Sequence, residues 1–143
     1  DFFFKNNKDK FDIIFIDGLH HYDQVNKDIQ NSLLILNDNG FILIHDCLPR
    51  TIAQQAVPRY RGSWNGDVWK SIVQLRTDLE LDIFTCEIDF GVAVIRKKKN
   101  TNLLKLNYHN ESNYFKKLKF SNYYHNHQEL MNIVSYEKAL KII

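Results

Sequence analysis

Two short apolar runs constrain the fold of this chain more than any other feature of its sequence. The first run spans Phe11–Ile16 and the second spans Phe41–Ile44. Their length and their Ile and Phe content predict strands, the first of them buried on both faces of a sheet. The segment between them predicts an amphipathic helix over residues 23–36. Its apolar residues recur at steps of four, four and three: Val25, Ile29, Leu33 and Leu36. Alternating strands and helices are typical of a parallel sheet with helices on its faces.

Turn-forming residues mark the boundaries of the next elements. Residues 37–40 read NDNG, which predicts a helix stop with Gly40 in the left-handed conformation. Two prolines punctuate a predicted irregular loop over residues 48–63. A second helix is predicted over residues 68–79, with Asn65 as its N-cap.

The last third of the chain begins with two predicted strands and continues with a helical pattern. Residues 81–87 and 91–96 predict a hairpin, and the pattern becomes helical after Asn100. Two breaks are predicted in that helical tail, near residues 107–113 and 121–126. The whole order is strand, helix, strand, helix, strand, strand and helical tail.

Composition excludes several classes of protein. No apolar run approaches the roughly 20 residues of a membrane helix, and the N-terminus lacks the apolar core of a signal peptide. Two cysteines make a disulfide framework unexpected and favour a cytoplasmic location. Residues 97–143 carry 9 Lys/Arg against 3 Asp/Glu. Because these lysines alternate with apolar residues at helical spacing, we interpret them as a solvated helix face and expect no nucleic-acid partner.

Polar residues directly follow both apolar runs: Asp17, His20, His21, His45, Asp46 and Cys47. Since ligands bind at the carboxyl ends of the strands in such sheets, both groups are expected to face one cleft. Carboxylates suit Mg²⁺, whereas imidazole and thiolate favour Zn²⁺ or another transition metal. His20, three residues after Asp17, is placed to act as a general base. The alternative is that Asp17 and Asp46 cap the following helices and that the histidines are exposed loop residues.

Several segments resemble class I S-adenosylmethionine-dependent methyltransferases. The main segment, residues 16–49, reads IDGLHHYDQVNKDIQNSLLILNDNGFILIHDCLP and resembles the fourth- and fifth-strand region of that superfamily. It is most similar to the catechol and macrolide O-methyltransferase-like branch. The later segments WNGDVWKSIVQLR, DFGVAVI and YYHNHQELMNIVSYEKAL also resemble that branch or its bacterial relatives.

The resemblance implies a Rossmann-like α/β fold with three layers and family strand order 4-5-7-6. Residues 1–100 would be the C-terminal half of such a domain, and residues 101–143 a helical tail packed on it. In this fold the first three strands and a Gly-rich loop bind S-adenosylmethionine, and they would precede Asp1. The resemblance therefore implies a cofactor site largely outside this chain, and a chain that is inactive by itself.

The resemblance also assigns roles to residues of the two polar groups. It implies Asp17 and Asp46 as carboxylate ligands of Mg²⁺ or another divalent cation, with His45 where relatives often place Glu. It implies His20 as the base that deprotonates a hydroxyl on a small or sugar-like acceptor. His21 is a further candidate for acceptor binding. Trp64 either lines the acceptor site as part of a lid or belongs to a helix start whose Trp69 packs on the sheet.

Three functions from different classes remain open at this level. The first is O-methyl transfer, and the second is a non-catalytic half-domain that serves as an assembly module. The third is a metal-dependent hydrolase that uses the same His and Asp residues.

The apolar strand Phe11–Ile16 also carries an expectation about association. Without a first-strand neighbour it becomes a sheet edge that lacks Pro or Lys within the run. The expected result is an antiparallel homodimer through this edge, unless the N-terminal segment or the basic tail covers it.

Overall fold

The computed structural model describes residues 2–107 and 113–143, in which five strands and five α-helices are present. The strands are Phe11–Ile16 (β1), Leu36–Ile44 (β2), Leu81–Cys86 (β3), Val92–Lys97 (β4) and Ile133–Val134 (β5). The helices are Phe2–Asn6 (α1), Tyr22–Ile35 (α2), Val68–Leu75 (α3), Phe120–Met131 (α4) and Tyr136–Ile142 (α5). A 3₁₀ turn at Phe115–Lys117 precedes α4. None of the helices in these described ranges is long and apolar enough to cross a membrane.

The strands form one mixed sheet in the order β1-β2-β4-β3-β5. β1 and β2 are parallel, and β4 lies antiparallel between β2 and β3. This arrangement confirms the predicted α/β fold and the family order 4-5-7-6. The short strand β5, which pairs parallel with β3, was not predicted. Two residues are too few to give a periodic signal, so only pairing identifies this strand.

The two faces of the sheet are covered unequally. One face packs against α2, α3 and α4, and its core includes Ile29, Trp69 and Met131, all fully buried. On the other face, residues of β3 and β4 pack with Ala139 and Ile142 of α5. The sheet is therefore covered on both faces at β3 and β4. The predicted packing of Trp69 on the sheet is confirmed.

Strand β1 is an edge strand, and the prediction that it is buried on both faces is wrong. Ile14 and Ile16 face the core, whereas Ile13 is 64% exposed and Phe15 is 58% exposed. The apolar composition of the run fits a strand with two covered faces, but within the described residues no helix lies over the Ile13 and Phe15 side.

Three predicted boundaries also differ from the structure. Gly40 lies within β2 and not in a left-handed helix stop. A Cβ at Gly40 would lie 2.8 Å from the carbonyl oxygen of Asp12. Glycine is therefore required here because β1 approaches closely. Helix α3 ends at Leu75, which leaves Leu79 outside it and exposed. The break expected near 121–126 is absent, because α4 continues through it. The break expected near 107–113 falls mostly outside the described residues.

The helical tail is attached to the sheet domain by a buried arginine. Arg76, at the C-terminal end of α3, is 1% exposed and donates hydrogen bonds to the carbonyls of Glu129 in α4 and Asn102. Its own carbonyl accepts from the amide of Leu104 at 3.0 Å. One side chain therefore joins α3 to two separate segments of the tail.

We expect Arg76→Met to lower the free energy of unfolding by about 3 kcal/mol, because two hydrogen bonds from a charged donor to backbone carbonyls are lost while most of the side-chain volume remains. Urea denaturation followed by circular dichroism measures this. Arg61→Met, at an exposed arginine, is the matched control and should change stability by less than about 0.5 kcal/mol. Equal stabilities of the two variants would contradict this role of Arg76.

Candidate active site and metal centre

The two polar groups predicted from sequence meet at one edge of the sheet. Asp17 directly follows β1, and His45 and Asp46 directly follow β2. The amide of His45 donates to the carbonyl of Ile16 at 3.1 Å, which extends the parallel pairing one residue beyond the strands. Because both strands end together, the side chains after them share one cleft.

Four side chains converge in this cleft. The Nε2 atom of His20 lies 3.3 Å from Oδ1 of Asp17 and 3.4 Å from Oδ2 of Asp46. The Nδ1 atom of His45 lies 3.6 Å and 3.3 Å from the same two oxygens. One ligand atom each from Asp17, His20 and Asp46 lie within 4.8 Å of one another. We call Asp17, His20, His45 and Asp46 the His/Asp cluster.

The far nitrogen of each imidazole is held by a hydrogen-bond acceptor. Nδ1 of His20 lies 2.9 Å from the carbonyl oxygen of Trp64, and Nε2 of His45 lies 2.8 Å from Oδ2 of Asp89. A carbonyl or a carboxylate only accepts, so both of these nitrogens donate. In a neutral imidazole the other nitrogen then carries a lone pair. Both of these lone pairs face the carboxylates of the cluster.

Asp46 is the most buried carboxylate of the cluster, with 8% of the residue exposed. Its backbone has φ 59°, an uncommon value for a residue other than glycine, and its Oδ1 accepts from the side-chain amide of Asn65 at 2.9 Å. Burial raises the pKa of Asp46, while the nearby His20 and His45 oppose that rise. An additional positive charge near the cluster would therefore favour the ionised form of the Asp46 carboxyl.

For His45, the neighbouring carboxylates outweigh the effect of burial on the pKa. Burial by itself would lower the pKa of His45, but the hydrogen bond with Asp89 and the charges of Asp46 and Asp17 outweigh it, so the pKa is raised. Its Nδ1 atom is buried and has no hydrogen bond within the described residues. An unpartnered buried nitrogen beside two carboxylates fits a site for a cation. The donor set, two carboxylates and two imidazoles, also fits a divalent metal ion.

The other candidate residues lie around the cluster or away from it. The ring of Trp64 lies 5.1 Å from that of His20 and 5.8 Å from that of His21, and its indole N–H donates to the carbonyl of Ala56. Cys47 does not face the cleft: it is fully buried, its thiol donates to the carbonyl of Ile44, and burial raises its pKa. Of the polar residues that follow the two strands, Cys47 is therefore not placed to supply a thiolate in this cleft.

Sequence reasoning missed two residues that contact the cluster. The first is Asn65, which was predicted as the N-cap of α3 but is fully buried and donates a hydrogen bond to Asp46. The N-cap position of α3 is occupied by Asp67. The side chain of Asp67 accepts from the amide of Tyr22 and so satisfies the first turn of α2. Asp89 lies in the turn between β3 and β4, and no spacing in the sequence relates it to His45. The backbone of Asp89 has φ 48°, a left-handed conformation that only the folded turn reveals.

Comparisons with known proteins agree with this fold. A family described as a methyltransferase domain matches residues 1–47, a segment that contains the whole His/Asp cluster. The solved structure of the SAH-bound methyltransferase PaMTH1 from Podospora anserina is similar, with a TM-score of 0.52 and 25% sequence identity. The similarity covers 66% of this chain and 44% of that protein, so the chain spans less than half of its length. No curated protein matches the chain.

The fold is that of the class I S-adenosylmethionine-dependent methyltransferases, and the resemblance is confirmed at that level. The narrower assignment to the catechol and macrolide O-methyltransferase-like branch stays a prediction.

Proposed function

We propose that this chain carries the acceptor side of an S-adenosylmethionine-dependent O-methyltransferase for a small hydroxylated or sugar-like acceptor. The observation that supports the proposal most is the convergence of His20 with two carboxylates at the carboxyl ends of β1 and β2. This convergence lies in the segment that the methyltransferase family matches. The rest of the cofactor site would be supplied by the N-terminal half of such a domain.

His20 is the proposed general base. Its Nδ1 donates to the carbonyl of Trp64, which leaves Nε2 to accept the proton of an acceptor hydroxyl. The Trp64 ring packs against His20 and restricts its rotation. His21 and Trp64 form an aromatic corner beside the base, which makes them the proposed contacts to the acceptor.

Asp17, Asp46 and His45 are the proposed residues that hold a divalent cation beside the base. A cation bound there would lower the pKa of an acceptor hydroxyl. S-adenosylmethionine would supply the methyl group as a sulfonium, so that the deprotonated acceptor oxygen forms the new C–O bond while the C–S bond breaks.

A cavity beside Asp89 is a candidate site for the body of the acceptor. It has a volume of about 190 Å³ and is lined by residues that include Arg50, Tyr123, Tyr124 and His127. Aromatic rings with polar tips suit a hydroxylated ring, because they combine stacking with hydrogen bonding. We propose that this cavity contributes to acceptor specificity.

The test of the proposed function is transfer of a labelled methyl group from S-adenosylmethionine to a panel of catechols, hydroxylated aromatics and sugars. Calorimetry with S-adenosylmethionine and S-adenosylhomocysteine accompanies it. With the N-terminal half of such a domain supplied, the proposal predicts binding of the cofactor and a labelled ether product. No binding of either compound at millimolar concentration would show that the isolated chain is not an enzyme, and hydrolysis of a phosphoester without methyl transfer would favour a hydrolase.

The second candidate function is a non-catalytic module that associates through β1, and the exposed edge favours it. β1 pairs only with β2 among the described strands, and Ile13 and Phe15 leave an apolar surface beside the unpaired backbone. A second copy could add β1 antiparallel to β1 and continue the sheet. Two Ile13 and Phe15 pairs would then lie on the same open face.

We expect light scattering to show that the parent chain is a dimer and that the Ile13→Lys variant is a monomer. The lysine would place a charge in the apolar contact between the two copies. Leu34→Lys is the matched control, because Leu34 is equally apolar and 72% exposed but lies on α2. A strictly monomeric parent chain, or dimers that persist in Ile13→Lys, would contradict association through this edge.

A further inference from the structure

The loop between β2 and α3 concentrates arginine in a chain that otherwise uses lysine. Five of the 19 Lys and Arg residues are arginines. Two of them, Arg76 and Arg96, make several hydrogen bonds inside the fold. The remaining three all lie within residues 48–63, a segment that contains no Lys, Asp or Glu: Arg50, Arg59 and Arg61. We call residues 48–63 the arginine loop.

The three arginines of this loop retain donors for an external acceptor. All three are exposed, and none forms an ion pair with a carboxylate in the described part of the chain. Arg59 donates to the carbonyl of Gly62 at 2.9 Å, which uses only one of its N–H groups. A guanidinium is a planar fork of donors that matches an oxyanion, whereas the ammonium of lysine is a point charge. The choice of arginine here therefore favours recognition of an anion.

The arginine loop is closed on itself beside the candidate site. The carbonyl of Gln54 accepts from the amides of Asn65 and Gly66 at 2.9 Å and 3.0 Å. The side chain of Gln54 accepts from the amide of Arg50 at 2.7 Å and donates to the hydroxyl of Ser63 at 3.0 Å. One residue therefore joins both arms of the loop, and the loop ends at Asn65, which contacts the His/Asp cluster.

Arg59 lies close to the proposed base. Its Cζ lies 5.8 Å from the centroid of the Trp64 ring, which lies 5.1 Å from that of His20, so the guanidinium is within about 11 Å of the His20 ring. Arg50 lines the cavity that is the candidate site for the body of the acceptor. An acceptor whose hydroxyl reaches Nε2 of His20 would therefore extend toward these two guanidinium groups.

We propose that the arginine loop selects acceptors that carry a phosphate ester, such as a sugar phosphate, with Arg59 as a specificity-determining residue. The inference rests on the proposed function, because it concerns the acceptor of that reaction. A phosphate monoester carries about 1.5 to 2 negative charges at pH 7 and three acceptor oxygens, so it can bind more than one guanidinium. The positive charge of the loop also offsets the repulsion of an anion by Asp17 and Asp46.

The first experiment compares ligands with the parent chain. Calorimetric titration uses glucose 6-phosphate, glucose, glucuronate and inorganic phosphate. Glucose 6-phosphate is expected to bind at least 10-fold more tightly than each of the other three, and equal affinity for any of them would overturn the proposal. The titration needs neither cofactor nor methyl transfer, so the inference about the acceptor and the proposed function can fail separately.

A phospholipid headgroup is another source of the same phosphate chemistry. The arginine loop also exposes three apolar side chains, Ile52, Val57 and Tyr60. Cosedimentation with vesicles that contain phosphatidic acid separates the two sources, and phosphatidylcholine vesicles are the control. We expect no more chain on the first vesicles than on the second. Binding to phosphatidic acid that glucose 6-phosphate displaces would overturn the proposal in favour of a membrane surface.

Variants identify the guanidinium that binds the phosphate. Arg59→Gln should weaken binding of glucose 6-phosphate at least 10-fold, and Arg59→Lys should weaken it several-fold, because lysine keeps the charge but lacks the planar fork. Lys99→Gln is the matched control, since it removes one charge from an exposed residue after β4, at the opposite edge of the sheet from the cluster.

Circular dichroism verifies that each variant is folded, and Arg50→Gln is a second, independent variant of the loop. It should weaken binding of glucose 6-phosphate several-fold, because Arg50 lines the cavity beside the cluster. Unchanged affinity in both Arg59→Gln and Arg50→Gln, or an equal loss in Lys99→Gln, would overturn the proposal.

Discussion

Gly66→Ala is expected to destabilise the chain by about 4 kcal/mol and to disrupt the candidate site at the same time. Gly66 has φ 61°, and a Cβ at this position would lie 1.8 Å from the carbonyl oxygen of His20. Left-handed backbone costs a residue other than glycine roughly 1–2 kcal/mol, and overpacking adds roughly 1–3 kcal/mol. The same carbonyl accepts from the amide of Asp67, so any relief of the clash must shift the segment between Asn65 and Asp67.

Gly62→Ala is the matched control for this prediction. Gly62 has φ 73°, but a Cβ there would meet no atom within 4 Å. It therefore carries the backbone strain without the clash, and we expect a loss of only about 1–2 kcal/mol. Urea denaturation measures both variants, and equal losses would show that contact with His20 does not explain the glycine at position 66.

His20→Gln is expected to lower kcat of methyl transfer by about 10²–10⁴-fold, the usual contribution of a general base. Glutamine retains a hydrogen-bonding side chain but cannot take up the acceptor proton at neutral pH. The assay is initial-rate methyl transfer to the best acceptor of the panel, with the N-terminal half of the domain supplied. The affinity for a divalent cation should remain within a few-fold of that of the parent chain, because the proposed ligands are Asp17, Asp46 and His45.

Two results would contradict the role of His20. Loss of divalent-cation binding in His20→Gln together with loss of activity would make His20 a fourth ligand and not the base. A kcat equal to that of the parent chain would exclude it from catalysis. His125→Gln, at an exposed histidine of α4, should leave both kcat and the affinity for a divalent cation unchanged and controls for loss of an imidazole elsewhere.

The sequence determined the strands and helices that carry the candidate site. The run Phe11–Ile16 and the hairpin strands were predicted within one residue, because apolar and β-branched residues predominate over the length of each strand. The helix between the first two strands was predicted from its spacing. Since polar residues follow both strands at their carboxyl ends, the convergence of Asp17, His20, His45 and Asp46 also followed from the sequence and the topology rule.

Only the tertiary structure decided which side chains complete the site and which faces are covered. Asp89 and Asn65 contact His45 and Asp46 across separations of 44 and 19 residues, and no local periodicity reports such contacts. Cys47 directly follows two polar residues of the site, but its side chain is buried in the core. Ile13 and Phe15 have the composition of buried residues, yet they are exposed, because burial depends on which neighbour covers a face and not on the residue itself.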